Sequence, residues 1–135
     1  RSHLNEHYTE EVQPVVSLDK ILHAREIVKK VYVDERIEQY IADIVFATRR
    51  PESYKMPEMK RYISFGGSPR AGINLALAGR TRAFLKHRGY VIPEDVRDVA
   101  YDVLRHRIGL TYEAEADNVT TDAIITEVIN KVEVP

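Results

Sequence analysis

The chain is 135 residues long, one ordinary domain, and can bury roughly two-thirds of the surface its unfolded form exposes. Its mix of 44% hydrophobic and 30% charged residues excludes a disordered chain, and a formal net charge of −1, from 20 basic and 21 acidic side chains, argues against a dedicated nucleic-acid binder. Cysteine is absent, which excludes disulfides and thiolate zinc sites and favours a reducing, cytoplasmic compartment. No apolar run approaches the roughly 20 residues a membrane span needs, and the N-terminus lacks a signal-peptide pattern.

Residues 1–16 are polar, lack a sustained period and end in Gln13-Pro14-Val15-Val16, which reads as a connecting segment. The rest shows no repeat and no second domain boundary. A first helix is predicted from Ser17, a good N-cap with Asp19 near the positive helix end, to Lys29-Lys30. Leu18, Ile21, Leu22 and Val28 form its apolar stripe. A second starts at Asp34 and carries Ile37, Tyr40, Ile41, Ile44, Val45 and Thr48 at the spacing of one buried face, until Pro51 stops it.

Pro51, Pro57, Gly66 and Gly67 break the rhythm of residues 51–67, where Tyr62-Ile63-Ser64-Phe65 reads as a short strand. Ser68-Pro69 opens a third helix, thin because of Ala71, Gly72, Ala76, Ala78, Gly79 and Ala83. It runs through Ile73, Leu77, Arg80 and Phe84 to Lys86-His87-Arg88 and stops at Gly89. Pro93-Glu94-Asp95 opens a fourth with Val96, Val99, Ala100, Val103 and Leu104 on one face, and Val91 and Val96 are spaced as a staple. Residues 107–112 read as a second strand, paired with residues 62–65. A last helix begins at Thr120 and buries Ile124, Ile125, Val128, Ile129 and Val132. The fold class is mainly α, about five helices with one short two-stranded ribbon.

Gly66-Gly67-Ser68-Pro69-Arg70-Ala71 is the stretch with chemistry in it. Arg70 falls at the second helical position, where the helix end already carries partial positive charge. A cation there makes sense beside an anion, since free N–H groups and a guanidinium together hold a phosphate oxygen well. The plainer reading is a solvated arginine paired with a nearby carboxylate.

This stretch is followed by Asn74-Leu75-Ala76-Leu77, then Arg88-Gly89-Tyr90-Val91-Ile92-Pro93-Glu94-Asp95-Val96, then Val103-Leu104-Arg105-His106-Arg107-Ile108, and closes with Val132-Glu133-Val134-Pro135. In that order it resembles the helical lid of MoxR-family AAA+ ATPases, from about Pro14 to the last residue. The Gly89–Val96 element is shared by many AAA+ lids; serine-proline-arginine followed by leucine-arginine-histidine-arginine is far more specific. Gly67 stands where the family usually has alanine, and Ile92 where threonine is common.

The resemblance implies an AAA+ lid-type bundle over residues 17–135, with residues 1–16 as the linker from an ATPase core. It implies that Arg70 is the sensor 2 residue, reaching the γ-phosphate of ATP held with Mg2+ mainly by that core, with Gly67, Ser68, Pro69 and Ala71 around it. The implied partners are the core domain, neighbouring subunits of a hexameric ring and a client protein undergoing chaperone-like remodelling or assembly. Arg105, His106 and Arg107 are placed by analogy at a subunit or nucleotide contact, or else in core packing or pairing with Glu113 and Glu115. The G-x-x-x-x-G-K-[ST] phosphate loop is absent from the chain, so this portion is expected to sense nucleotide and not to hydrolyse it.

Other features carry competing readings. Arg80, Arg82, Lys86, His87 and Arg88 form either a basic surface or a dipole-matched helix end. His3 and His7 lie one helical turn apart without a third metal ligand. Asp95, Asp98 and Asp102 are read as solvated. The rival to an ATPase lid is a stand-alone helical interaction module, docking through the thin third helix or the loop at Met56, Pro57 and Met59. A helix-turn-helix DNA binder is a third reading.

Overall fold

The computed structural model describes residues 16–135. The pair His3 and His7, and almost all of the predicted linker, lie outside the described residues. Helix α1 (Leu18–Lys29) is capped by Ser17, whose hydroxyl accepts from the Lys20 amide at 3.2 Å. Helix α2 (Glu35–Arg49) is capped by Asp34, whose carboxylate accepts from the Arg36 amide at 2.7 Å. Two 3-10 turns, Pro51–Tyr54 and Pro57–Tyr62, lead into strand β1 (Ile63–Phe65). Then come α3 (Pro69–Leu85), α4 (Pro93–Leu104), β2 (Gly109–Leu110), α5 (Tyr112–Ala116) and α6 (Thr121–Lys131).

The mainly α bundle and its ribbon are as the sequence suggests, with six α-helices among the described residues in place of about five. The extra one, α5, occupies the end of what reads as strand. Thr111 caps it, accepting from the Ala114 amide at 3.2 Å, so the strand shrinks to Gly109–Leu110. The ribbon is antiparallel, Ile63 opposite Leu110 and Phe65 opposite Gly109. The Phe65 ring lies against the α-carbon of Gly109, so any Cβ there would have to displace that ring. A second tie joins the α1–α2 and α3–α4 connections: Tyr32 donates to the Gly89 carbonyl at 2.8 Å and Val91 donates to the Tyr32 carbonyl at 2.9 Å.

The core follows the periodicity closely in α2, where Ile37, Tyr40, Ile41, Ile44, Val45 and Thr48 are all buried. Leu75 of α3, Val96 and Leu104 of α4, and Ile124, Ile125 and Val128 of α6 are wholly enclosed, each stabilising the fold by about 1.5–3 kcal/mol. The thinness of α3 is used: it buries Ala71, Leu75, Gly79 and Ala83 and packs most extensively on α4. Ile73 and Leu77 face outward instead.

Helix α1 departs most from its pattern. Of its predicted stripe only Val28 is buried; Leu18 is 69% exposed, and Ile21 and Leu22 are nearly half exposed. The helix packs chiefly on α3, so most of its apolar face has no neighbour among the described residues. With Val16, Leu77, Phe84 and Leu85, that face lines an open groove edged by Lys20, Arg25 and Lys29.

Two further expectations are corrected. Helix α3 ends at Leu85, and its left-handed terminating residue is His87 (φ 61°), not Gly89. The His87 amide donates to the Phe84 carbonyl and the Arg88 amide to that of Ala83, both at 2.9 Å, which satisfies carbonyls the helix end leaves free. Asp95 is not solvated but fully buried, held by Arg88 and by the Ile92 amide at 2.9 Å. Ile92 has no acceptor with which to cap α4, so Asp95 reaches back to its amide. Asp98 pairs with Arg82, while Asp102 is solvated.

Candidate functional site

The start of α3 is built from both sides. Ser68 holds the N-cap position, but its hydroxyl makes no capping hydrogen bond, Pro69 is the first helical residue, and the first turn carries no acidic residue. Arg70 is exposed, and its amide stands at a position with no intrahelical carbonyl to bond. Among the described residues Arg70 makes no side-chain hydrogen bond or ion pair, and its exposure fits the solvated arginine of the plainer reading as well as an anion site. Of the residues the sequence groups with it, Ser68 and Pro69 are exposed beside Arg70. Gly67 and Ala71 turn inward, and Ala71 is wholly buried.

Neither Gly66 nor Gly67 uses a left-handed backbone. They serve close approach: a Cβ on Gly66 would lie 2.4 Å from the Thr48 carbonyl oxygen, and one on Gly67 would lie 3.3 Å from the Ala71 Cβ. Thr48, fully buried in the last turn of α2, donates from its hydroxyl to the Val45 carbonyl at 2.6 Å and accepts from the Gly67 amide at 2.9 Å. The end of α2 thus holds the start of α3.

Alongside runs a groove of about 460 Å³ between α2 and α3. Ile41, Val45, Phe46, Pro69 and Ile73 make its walls apolar, and Glu38 and Arg49 supply its charged side chains. Phe46 and Ile73 are more than half exposed. Pro69, next to Arg70 in the chain, forms part of the groove's wall.

Phe46, Thr48 and Arg49 are the site residues that sequence reasoning missed. Arg49 looks like a cation matched to its helix dipole, and Phe46 falls off the buried stripe of α2. Thr48 carried the one usable signal: a hydroxyl on a buried face needs a partner.

Arg105 is tied to Asp122 of α6 at 2.8 Å and to Asp102 at 3.3 Å, not to Glu113 or Glu115. Glu113 faces Arg61 instead. His106 is exposed and Arg107 half-buried. Three of the five basic residues at the end of α3 are likewise committed: Arg82 and Arg88 meet Asp95, and Arg80 donates to the Val31 carbonyl at 3.1 Å. Met56 is wholly buried, which removes it from any docking surface. No helix among the described residues is long and apolar enough to cross a membrane.

This architecture defines a class, the small helical lid of AAA-type ATPases: the AAA lid domain family matches residues 58–128, more than half of the chain. The chain belongs to that family, and it is a lid of the MoxR type. It is 38% identical over 125 residues to the chaperone MoxR1 of Mycobacterium tuberculosis, covering 93% of this chain and 33% of that protein. To the protein MoxR of Methylorubrum extorquens it is 33% identical over 132 residues, covering 92% and 38% respectively. The crystal structure of a candidate ATPase from Cytophaga hutchinsonii superposes with a TM-score of 0.88 at 44% identity, covering 92% of this chain and 38% of that one. The chain therefore spans 33–38% of the length of these relatives.

Proposed function

We propose that residues 17–135 close over ATP bound, with Mg2+, on a separate core domain, and that Arg70 meets the γ-phosphate. The observation that carries this reading is an exposed arginine in the first turn of α3, with no acidic residue in that turn and no cap on the helix. Its guanidinium and the free amide of the helix end add positive charge where charge develops on the transferred phosphoryl group. The neighbouring apolar groove, with Phe46 and Ile73 on its edge, suits the base of the same nucleotide. Ser68 and Pro69 lie on the nucleotide side, while Gly67 and Ala71 act from behind by packing.

The phosphate loop and the acidic pair for Mg2+ belong to the core, which residues 1–16 join to the lid. The unpartnered apolar face of α1 with Leu77 and Leu85 supports a lid that packs against more protein than is described here. That protein is the core domain or a neighbouring subunit of a ring, hexameric by the resemblance. Arg105-His106-Arg107 is a second candidate contact, with His106 and Arg107 the members free of ion pairs among the described residues. Lid closure and opening would couple turnover to remodelling of a client protein in the cytoplasm.

The test is steady-state ATP hydrolysis by the full-length protein. Arg70→Ala should lower kcat by about a hundredfold, the scale of removing one preorganised charge-stabilising group. The thermal midpoint should barely move, because Arg70 is exposed. Normal turnover in that variant would overturn the assignment.

A further inference from the structure

We infer that Thr48 is a positioning residue for Arg70, an inference that rests on the phosphate-sensing reading of that arginine. The helix bearing Arg70 lacks its own fastening: Ser68 makes no capping bond and Pro69 has no N–H to give. What fixes its start is the fully buried Thr48 hydroxyl, which accepts from the Gly67 amide at 2.9 Å and donates to the Val45 carbonyl at 2.6 Å. The hydroxyl's one proton is committed to Val45 and one of its lone pairs to Gly67.

Gly66 completes the joint, its α-carbon pressed so close to the Thr48 carbonyl that a methyl would sit 2.4 Å from the oxygen. Arg70 begins three residues beyond Gly67, within the first turn, so any slip of the joint displaces its guanidinium directly. Electrostatic stabilisation of a transferring phosphoryl group depends on such placement, and a shift of about 1 Å is enough to lose a hundredfold in rate. Neither Thr48 nor Gly66 needs to touch the nucleotide.

The experiment is a cycle in the full-length ATPase with four variants: Arg70→Ala, Thr48→Val, Thr48→Ser and the double Thr48→Val/Arg70→Ala. Valine keeps the shape of threonine and removes the hydroxyl; serine keeps the hydroxyl. Thr48→Val should lower kcat by about tenfold to a hundredfold while the KM for ATP stays within about twofold. Thr48→Ser should restore kcat. In the Arg70→Ala background Thr48→Val should cause no further loss, because Thr48 acts only through that arginine. If Arg70→Ala itself hydrolyses ATP normally, the phosphate-sensing reading fails and this inference falls with it. If Arg70→Ala is impaired but Thr48→Val is not, or the two losses multiply, sensing stands and positioning by Thr48 is wrong. Should Thr48→Val lower the folded fraction, Thr48→Ala, which removes the hydroxyl without adding a methyl in its place, puts the same question, with the same expected non-additivity.

Discussion

Arg88 and Asp95 form a forked ion pair across the α3–α4 connection, Nη1 donating to Oδ2 and Nη2 to Oδ1, each at 2.7 Å. The same carboxylate accepts from the Ile92 amide and lies 3.5 Å from Nε of Arg82. Asp95 has no exposed surface at all, so the pair must be satisfied internally. Removing the carboxylate leaves the Arg88 guanidinium and the Ile92 amide without their acceptor, which costs about 1.5–3 kcal/mol because both arginines keep some access to water. Asp95→Ala should therefore lower the unfolding free energy by that amount in urea denaturation, whereas Asp102→Ala, a change at a solvated site, should cost less than about 0.5 kcal/mol. Equal losses would show that the pair is not a fastening of the fold.

The same carboxylate sets an acid limit. Burial alone disfavours its charge, but the hydrogen bonds from Arg88 and Ile92 and the charges of Arg88 and Arg82 outweigh burial and hold its pKa below the ordinary 3.8. The unfolded chain then takes up the proton first as pH falls, so acid favours unfolding. The stabilisation is complete above pH 3.8 and is lost as pH drops through the lower folded value. Asp122, lowered by Arg105, acts in the same direction at the surface. Asp95→Asn should flatten the fall of the thermal midpoint below about pH 4 without abolishing it. An unchanged slope would mean that other carboxylates set the limit.

How much of this was legible in the sequence depended on whether one face or two were at stake. Helix α2 meets core on one side, so its period gave every large buried residue and missed only Ala47; caps at Ser17, Asp34 and Thr120 were equally direct because the residue type is the mechanism. The apolar residues of α1 and α3 were harder. Ile73 and Leu77 outnumber small residues in hydrophobicity, yet the close packing of α3 on α4 selects Ala71, Gly79 and Ala83 for the interior. Asp95 read as solvated because its partner Arg88 is seven residues away in the sequence and its other contact is a backbone amide. At the site, Arg70 was visible through its conflict with the helix dipole, while Thr48 belonged to another helix and only the fold brings it to Gly67.

The outward face of α1 gives a third prediction. Leu18 and Ile21 are exposed, so replacing either with a polar residue should change the stability of the lid by less than about 0.5 kcal/mol. If that face meets the core or a neighbouring subunit, Ile21→Glu should nonetheless reduce ATP turnover or assembly of the full-length protein, measured by hydrolysis rate and light scattering. Turnover and assembly both unaffected would remove α1 as a contact.

The end of α3 supplies a last and purely local one. His87 sits at φ 61°, where a side chain costs about 1–2 kcal/mol and glycine nothing, while Gly89 has neither a positive φ nor any atom within reach of an added Cβ. The two residues are thus exchanged relative to what backbone preference alone would place. His87→Gly should raise the unfolding free energy by about 1 kcal/mol, and Gly89→Ala by about 0.4–1 kcal/mol by narrowing the unfolded ensemble. The carbonyl of Gly89, which accepts from Tyr32, is retained in both variants, so the tie between the two connections is untouched. Urea denaturation of the two single variants and the double should give near-additive gains, unless the His87 side chain holds a contact that offsets its strained backbone; a loss in His87→Gly would reveal one.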